Sequence, residues 1–300
     1  MTLRSGEIYF AEQKEGILIP ESISLFGLSV SFYGLFLVIA SLVALWVIVR
    51  EVRRKKLNTE WYLTLLTVSI VAALVGARLY YVIFQWNLFM QEPLSLLNFR
   101  SGGLSYFGAL FSVWGVLKWI CRKKKENFNQ SADCLCIGAA AAAPFVWLGC
   151  LFVREPLGRF YEGWCAVRIG TEYLPESLSS TYSETLASNM QRMNGVMYVS
   201  THPVALYGMV LSIVIFVLLV LYKQKAKTDG LVFVVYLSAY SVMMVVLEFF
   251  RADRCYIWGT KIPVNYIVAG VLILIVGIGA VRQVYLKRKH KSNLRFIWKR

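Results

Sequence analysis

Charge is what this 300-residue sequence has least of. Only 16% of its residues are Asp, Glu, Lys or Arg, whereas 58% are hydrophobic and mean hydropathy is +0.57. A water-soluble globule of this length cannot hide that much apolar surface, which excludes the ordinary soluble classes. Acidic residues are especially scarce, 17 against 32 basic ones, for a net charge of +15. In a soluble chain that imbalance would point to nucleic acid. In so apolar a chain a lipid bilayer explains it better and no nucleic-acid partner is expected, because the cytoplasmic loops of membrane proteins accumulate Lys and Arg. Histidine is nearly missing, with two, and the six cysteines (Cys121, Cys134, Cys136, Cys150, Cys165 and Cys255) contain no CxxC pair. No zinc site, disulfide framework or other cofactor is therefore expected.

What the sequence does have is long apolar runs, at about 27–49, 61–86, 104–121, 133–153, 202–222, 230–250 and 262–281. Each approaches the roughly 20 residues that cross a hydrocarbon core about 30 Å thick. Mixed residues precede the first run and no small-x-small site follows it, so it is expected to stay as a span and not to be cleaved as a signal peptide. The expected fold is an all-α polytopic membrane protein with seven transmembrane helices and a small extracytoplasmic head domain.

Basic residues sort by loop. Segments 50–56, 118–125 and 223–227 and the tail from Arg282 hold 21 of them, the alternate segments hold 10, and Arg78 alone lies inside a span. This bias places the N-terminus outside and the C-terminus in the cytoplasm, which requires an odd number of spans. The expected organisation is an extracytoplasmic segment over 1–26, a seven-helix domain over 27–281 and a basic cytoplasmic tail over 282–300. The tail touches anionic lipid heads. The loop 154–200 carries Glu155, Glu162, Glu172, Glu176 and Glu184 and no lysine, and its composition reads as an ordered, irregular head. No internal repeat relates the two halves, which counts against a transporter of the inverted-repeat type.

Arg78 and Glu248 lie in apolar spans, where a charge costs several kcal/mol unless it is paired or hydrated. Each is a functional candidate or, more blandly, a structural ion pair. The span directions bring further unusual residues to the same outer leaflet: Tyr33, Gly102, Gly103, Tyr106, Phe107, His202, Pro203 and Tyr207, with Glu155, Arg159 and Arg251 at or beyond span ends. Arg100-Ser101-Gly102-Gly103-Leu104 is either a flexible helix start or a set of backbone N–H groups offered to a phosphate. His202-Pro203 has proline where a helix start favours it and needs no function to explain it. Cys150 reads as a packing residue, and Cys165 and Cys255 are the candidates for an extracytoplasmic disulfide.

Six segments together carry a resemblance. They are Ser31-Phe32-Tyr33-Gly34-Leu35, Gly76-Ala77-Arg78-Leu79-Tyr80-Tyr81-Val82, Gly102-Gly103-Leu104-Ser105-Tyr106-Phe107-Gly108-Ala109-Leu110, Leu148-Gly149-Cys150 running to Glu155 and Gly158-Arg159, His202-Pro203-Val204-Ala205-Leu206-Tyr207, and Glu248-Phe249-Phe250-Arg251. In this order they resemble the prolipoprotein diacylglyceryl transferases, bacterial inner-membrane enzymes with seven spans and an outside N-terminus. The resemblance implies transfer of a diacylglyceryl group from phosphatidylglycerol to the cysteine thiol of a lipobox in a prolipoprotein signal segment, without metal or cofactor. Retained are Tyr33, Arg78, Glu155, His202, Tyr207, Glu248 and Arg251. The chain departs from the family pattern at Phe107, where a histidine is usual, at Trp147 and Cys150, where Arg and Asn are usual, and at Met244, in place of an arginine.

The implied reaction is substitution at an alkyl carbon. It needs a base for a thiol of pKa about 8.5, a cation for the phosphate leaving group and an apolar approach for two acyl chains. Arg78, Arg159 and Arg251 are the candidate phosphate ligands, joined in substrate binding by Tyr33, Gly102, Gly103 and Tyr207. Glu155, Glu248 and His202 are the candidate catalytic groups, the glutamates ranked first. The rival reading is a catalytically degenerate member that binds anionic lipid or lipoprotein signal segments without turnover.

Overall fold

Side-chain size on the first helix is arranged opposite to that of a soluble protein. In a computed structural model that describes residues 22–25, 28–84, 90, 105–170, 191–193, 196–226, 228–254, 263–274 and 277, helix α1 (Phe32–Arg54) turns Ala40, Ala44 and Ile48 inward. It leaves Leu35, Val38, Leu42 and Trp46 exposed. Large apolar groups outside and small ones inside suit a helix solvated by lipid, where close backbone packing drives association. The remaining helices are α2 (Thr59–Phe84), α3 (Tyr106–Lys124), α4 (Phe128–Phe152), α5 (Val204–Lys223), α6 (Leu231–Phe250) and α7 (Val264–Leu274).

Five of these helices, α1, α2, α4, α5 and α6, are long and apolar enough to cross a membrane, so the chain is a polytopic membrane protein. Helix α3 ends on Arg122, Lys123 and Lys124, and α7 is shorter, spanning 264–274. Among the described residues each run expected from the sequence overlaps one of these helices. The boundaries differ where local chemistry intervenes: α1 starts only after strand β2, and α4 starts earlier because Asn127 caps it, its Oδ1 accepting from the backbone N–H groups of Asn129 and Gln130 at 3.0 and 3.4 Å.

The all-α expectation holds for the bundle, with short strands added at one end. A hairpin of β1 (Ser22–Leu25) and β2 (Leu28–Ser31) precedes α1. Part of the 154–200 loop, expected to be irregular, builds an antiparallel sheet from β3 (Val167–Gly170), β4 (Gln191–Met193) and β5 (Val196–Thr201) in the order β3-β5-β4, with Val167 paired to Thr201 and Gln191 to Tyr198.

Helix α4 is the hub, packing on α1, α5 and α6. Its small residues let neighbours approach, as where Ile48 of α1 lies against Gly138. Between α2 and α3 the backbones themselves touch: a Cβ on Gly76 or Gly108 would overlap the other's carbonyl oxygen, and the Ser112 hydroxyl donates to Ala72 O at 2.7 Å. The end of the bundle remote from the strands is tied by two buried carboxylates that the sequence reading passed over. Glu51 accepts from Lys223 at 2.7 Å and pairs with Arg54, and Asp133 accepts the N–H groups of Gly230 and Phe233 at the start of α6 at 2.7 and 2.8 Å. The basic residues of 50–56 and 118–125 share that end.

Candidate functional site

At the opposite end three chain segments are woven together by backbone hydrogen bonds. The strand-like stretch that follows α4 donates from Arg159 N to Phe250 O at 2.8 Å and from Tyr161 N to Ser200 O at 3.0 Å. It accepts at Arg159 O from His202 N at 2.9 Å and at Leu157 O from Ala252 N at 2.8 Å. The exit of α4, the start of α5 and the exit of α6 are thereby held as one unit, and with them Glu155, Arg159, His202, Tyr207, Glu248 and Arg251. Gly158 makes this possible. A Cβ there would overlap the His202 carbonyl oxygen, so only glycine lets the two backbones meet.

His202 is enclosed on several sides. Tyr161 stacks on its ring with centroids 4.2 Å apart, Phe250 meets it edge-on at 5.1 Å, and its Nδ1 lies 3.2 Å from the Tyr207 hydroxyl. Partial burial and the neighbouring Arg159 guanidinium lower its pKa, favouring the neutral imidazole. Cys165 Sγ sits 3.6 Å from the same Tyr207 hydroxyl. The disulfide expected of Cys165 is not made: it is a free thiol, turned toward α5 and satisfied by Tyr207, and Cys255 lies outside the described residues.

Glu248 is fully buried at the exit of α6. Its Oε2 accepts from Asn265 at 2.6 Å and lies 3.6 Å from Arg251, while Arg254 donates to its backbone carbonyl at 2.6 and 3.1 Å. Oε1 has no hydrogen-bond partner among the described residues. Arg251 also binds Asp253 at 3.0 Å. Asn265 and Arg254 were missed by sequence reasoning. An asparagine inside an apolar run was the available signal for the first, whereas nothing in the local sequence marks Arg254 as the ligand of a carbonyl six residues back.

Glu155 stands at the rim, its side chain exposed. Partial desolvation at the rim, with Asp253, raises its carboxyl above the usual carboxylate range, and Arg251 offsets part of that rise. Ionisation of Glu155 is thus less favourable in the fold than in water. The resulting stability is present below the ordinary carboxylate range of about 4.3 and is lost as pH climbs through the raised value. Glu155→Gln is expected to leave the thermal midpoint unchanged near pH 4 and to raise it slightly over wild type near pH 8, read by unfolding in detergent at both pH values.

Arg78 is 4% exposed, with its guanidinium 5.9 Å from the centre of the Tyr81 ring. The glycine contact between α2 and α3 places it, and Ser105 N donates to Ala77 O at 3.1 Å beside it. Tyr33, in the first turn of α1, lies against Gly149 and within electrostatic reach of Cys150 and Glu155. Gly102 and Gly103 lie outside the described residues.

Comparison with known proteins decides the family. The profile described as prolipoprotein diacylglyceryl transferase matches residues 20–282. The chain belongs to the prolipoprotein diacylglyceryl transferase family. Similar relatives carry the name phosphatidylglycerol–prolipoprotein diacylglyceryl transferase. The one from Clostridioides difficile (strain 630) is 26% identical over 273 residues, covering 90% of this chain and 96% of the relative. Those from Bacillus cytotoxicus and Finegoldia magna are 27% and 24% identical, over 82% and 84% of this chain and 87% and 93% of the relatives.

Three of the four positions where the resemblance implied other residues lie in one place. Phe107, Trp147 and Met244 are all buried in the same core cluster with Tyr236 and Tyr240, and Cys150 packs against it. Tyr106 stacks on Tyr240 at 4.4 Å, Tyr240 hydrogen-bonds Trp147 and Tyr106, and the Trp147 indole fills the space that Gly208 leaves open. Three side chains at positions where the resemblance implied polar groups thus lie together in one buried, largely aromatic cluster.

Proposed function

We propose that this chain is a phosphatidylglycerol–prolipoprotein diacylglyceryl transferase of the bacterial cell (inner) membrane. The observation that carries the reading is the convergence of arginines, carboxylates and an imidazole at one end of an apolar bundle. That is the combination a headgroup phosphate with two acyl chains and an acidic thiol proton requires. On this reading the site end is extracytoplasmic, with seven spans over 27–281. The head is 154–200, the segment 1–26 is outside, and the tail 282–300 is cytoplasmic.

In this reading Arg78, Arg159 and Arg251 hold the phosphate, with Gly102 and Gly103 supplying backbone donors and Tyr33 and Tyr207 polar contacts. The glyceryl carbon bound to the phosphate oxygen is attacked by the lipobox cysteine sulfur. A C–S bond forms, the C–O bond breaks, and the electron pair leaves on glycerol phosphate, whose charge the arginines stabilise. The thiol proton passes to one of Glu155, Glu248 and His202. Acyl chains remain in the bilayer beside the exposed apolar faces of the helices.

Purified protein in phosphatidylglycerol vesicles, given a lipobox peptide, is expected to release glycerol phosphate and to increase the peptide mass by one diacylglyceryl group. Arg78→Ala is expected to lower the rate at least about a hundredfold, since it removes a bidentate contact to the leaving group. Folded wild-type protein without product would overturn the reading. The aromatic core at Phe107, Trp147 and Met244 favours one second reading, saturable binding of anionic lipid or signal segments without turnover. Any peptide lipidation excludes it.

A further inference from the structure

The enclosure of His202 is more specific than burial alone requires. One ring face is covered by Tyr161, an edge is closed by Phe250, and Nδ1 meets a hydroxyl that in turn meets a thiol: Cys165 Sγ, Tyr207 Oη and His202 Nδ1 form a chain with links of 3.6 and 3.2 Å. The chain joins three separate parts of the fold, the turn before β3, the first turn of α5 and the residue that follows β5. Nε2 is the ring nitrogen left outside it. On the other side Arg159 O accepts from His202 N at 2.9 Å, and the Gly158 backbone packs against the His202 carbonyl.

We propose that Tyr207 and Cys165, with Tyr161, are positioning residues that hold His202 in its Nδ1–H tautomer, so that Nε2 accepts the proton of the substrate cysteine thiol. This deepens the transferase reading and rests on it. The direction of the chain follows from what a base must do. If the phenol donated to Nδ1, the neutral ring would carry its proton on Nε2 and could accept nothing there. With Nδ1–H donating to Tyr207 Oη and the phenol proton directed to Cys165 Sγ, Nε2 is free to accept, and the same bond persists in the imidazolium.

The proton balance is simple. The thiol proton goes to Nε2, the thiolate sulfur bonds to the glyceryl carbon as the C–O bond breaks, and the imidazolium afterwards returns its proton to solvent or to the departing phosphate. The charged and titratable groups around the ring are Arg159, Tyr161, Tyr207 and Cys165, with Arg154 lining the same recess. Partial burial and the Arg159 guanidinium favour the neutral imidazole at rest.

The sequence makes this testable by nitrogen NMR, because its only two histidines are His202 and His290. In [15N]histidine-labelled protein, with His290→Gln for assignment, His202 is expected as the Nδ1–H tautomer at neutral pH. Tyr207→Phe is expected to shift it toward Nε2–H, to lower kcat about tenfold and to displace the acidic limb of the kcat profile. Cys165→Ala is expected to lower kcat about threefold, with Cys165→Ser, whose hydroxyl also accepts, restoring it. An Nε2–H tautomer in wild type, or a Tyr207→Phe protein with unchanged tautomer and pH profile, overturns the proposal while leaving transferase activity standing. Absence of transfer by wild type overturns the transferase reading, and the tautomer still decides the geometry.

Discussion

Glu248→Ala is expected to be among the most damaging single substitutions in this protein. It removes a fully buried carboxylate whose Oε2 binds Asn265 at 2.6 Å and lies 3.6 Å from Arg251. The Asn265 amide would lose its acceptor, while Arg251 would keep Asp253. Breaking a buried pair from one side costs about 3–5 kcal/mol, and the lower part of that range applies because Arg251 retains a partner. Glu248→Gln keeps an acceptor for Asn265 and the shape of the side chain, so it is expected to recover most of the thermal stability. Because Arg251 is also a proposed phosphate ligand, neither variant is expected to recover full transfer. Unfolding midpoints and transfer rates measured on the same detergent preparations separate the two effects: equal loss of stability in Ala and Gln would refute the role of Asn265.

Gly158→Ala is expected to act through the backbone alone. The added methyl would overlap the His202 carbonyl oxygen and approach its N and C at 2.9 Å, and these atoms belong to a segment with no slack, since His202 N already donates to Arg159 O. Separating the two strands displaces His202 and loosens the link to Phe250. Misplacement of reacting groups by about 1 Å costs about a hundredfold in rate, so transfer is expected to fall to about 1% of wild type or below. Gly115→Ala is the control. A Cβ there meets nothing within 4 Å, and in a helix the change is neutral to mildly stabilising. Wild-type activity in Gly158→Ala would show that the weave tolerates separation and that the site does not depend on it.

Much of the candidate site was legible because charge in an apolar run is conspicuous. Arg78 and Glu248 stand out on cost alone, and alternation of span direction is enough to send Glu155, Arg159, His202, Tyr207 and Arg251 to the same end. Partners were less legible. Asn265, Arg254 and Asp253 are ordinary residues until α7 brings Asn265 to the Glu248 carboxylate and the exit of α6 brings Arg254 to the Glu248 carbonyl and Asp253 to Arg251. Glu51 and Asp133 were passed over for a similar reason. Each sits near a helix end, and only the packing of α1 against α4 with Lys223 reaching across, and of α4 against α6, shows that they are buried and bonded. Cys165 was read toward the wrong partner because a cysteine beyond a span suggests a disulfide, while its turn aims the thiol at Tyr207.

The sequence by itself determined the solvent. So few charges in so apolar a chain leave only lipid-facing helices, since the backbone in hydrocarbon must satisfy its own hydrogen bonds and periodic apolar runs do so as helices. The ordered motifs carried the family in the same way, because they are local strings of residue types. Tertiary structure alone decided that Phe107, Trp147 and Met244, scattered over about 140 positions, share one buried core, and that His202 rests between a tyrosine ring and a tyrosine hydroxyl. Both are facts about which helix faces meet. They depend on glycine contacts such as Gly76 with Gly108 and Gly158 with His202, where removing one side chain allows two backbones to touch, and a linear sequence does not record which two.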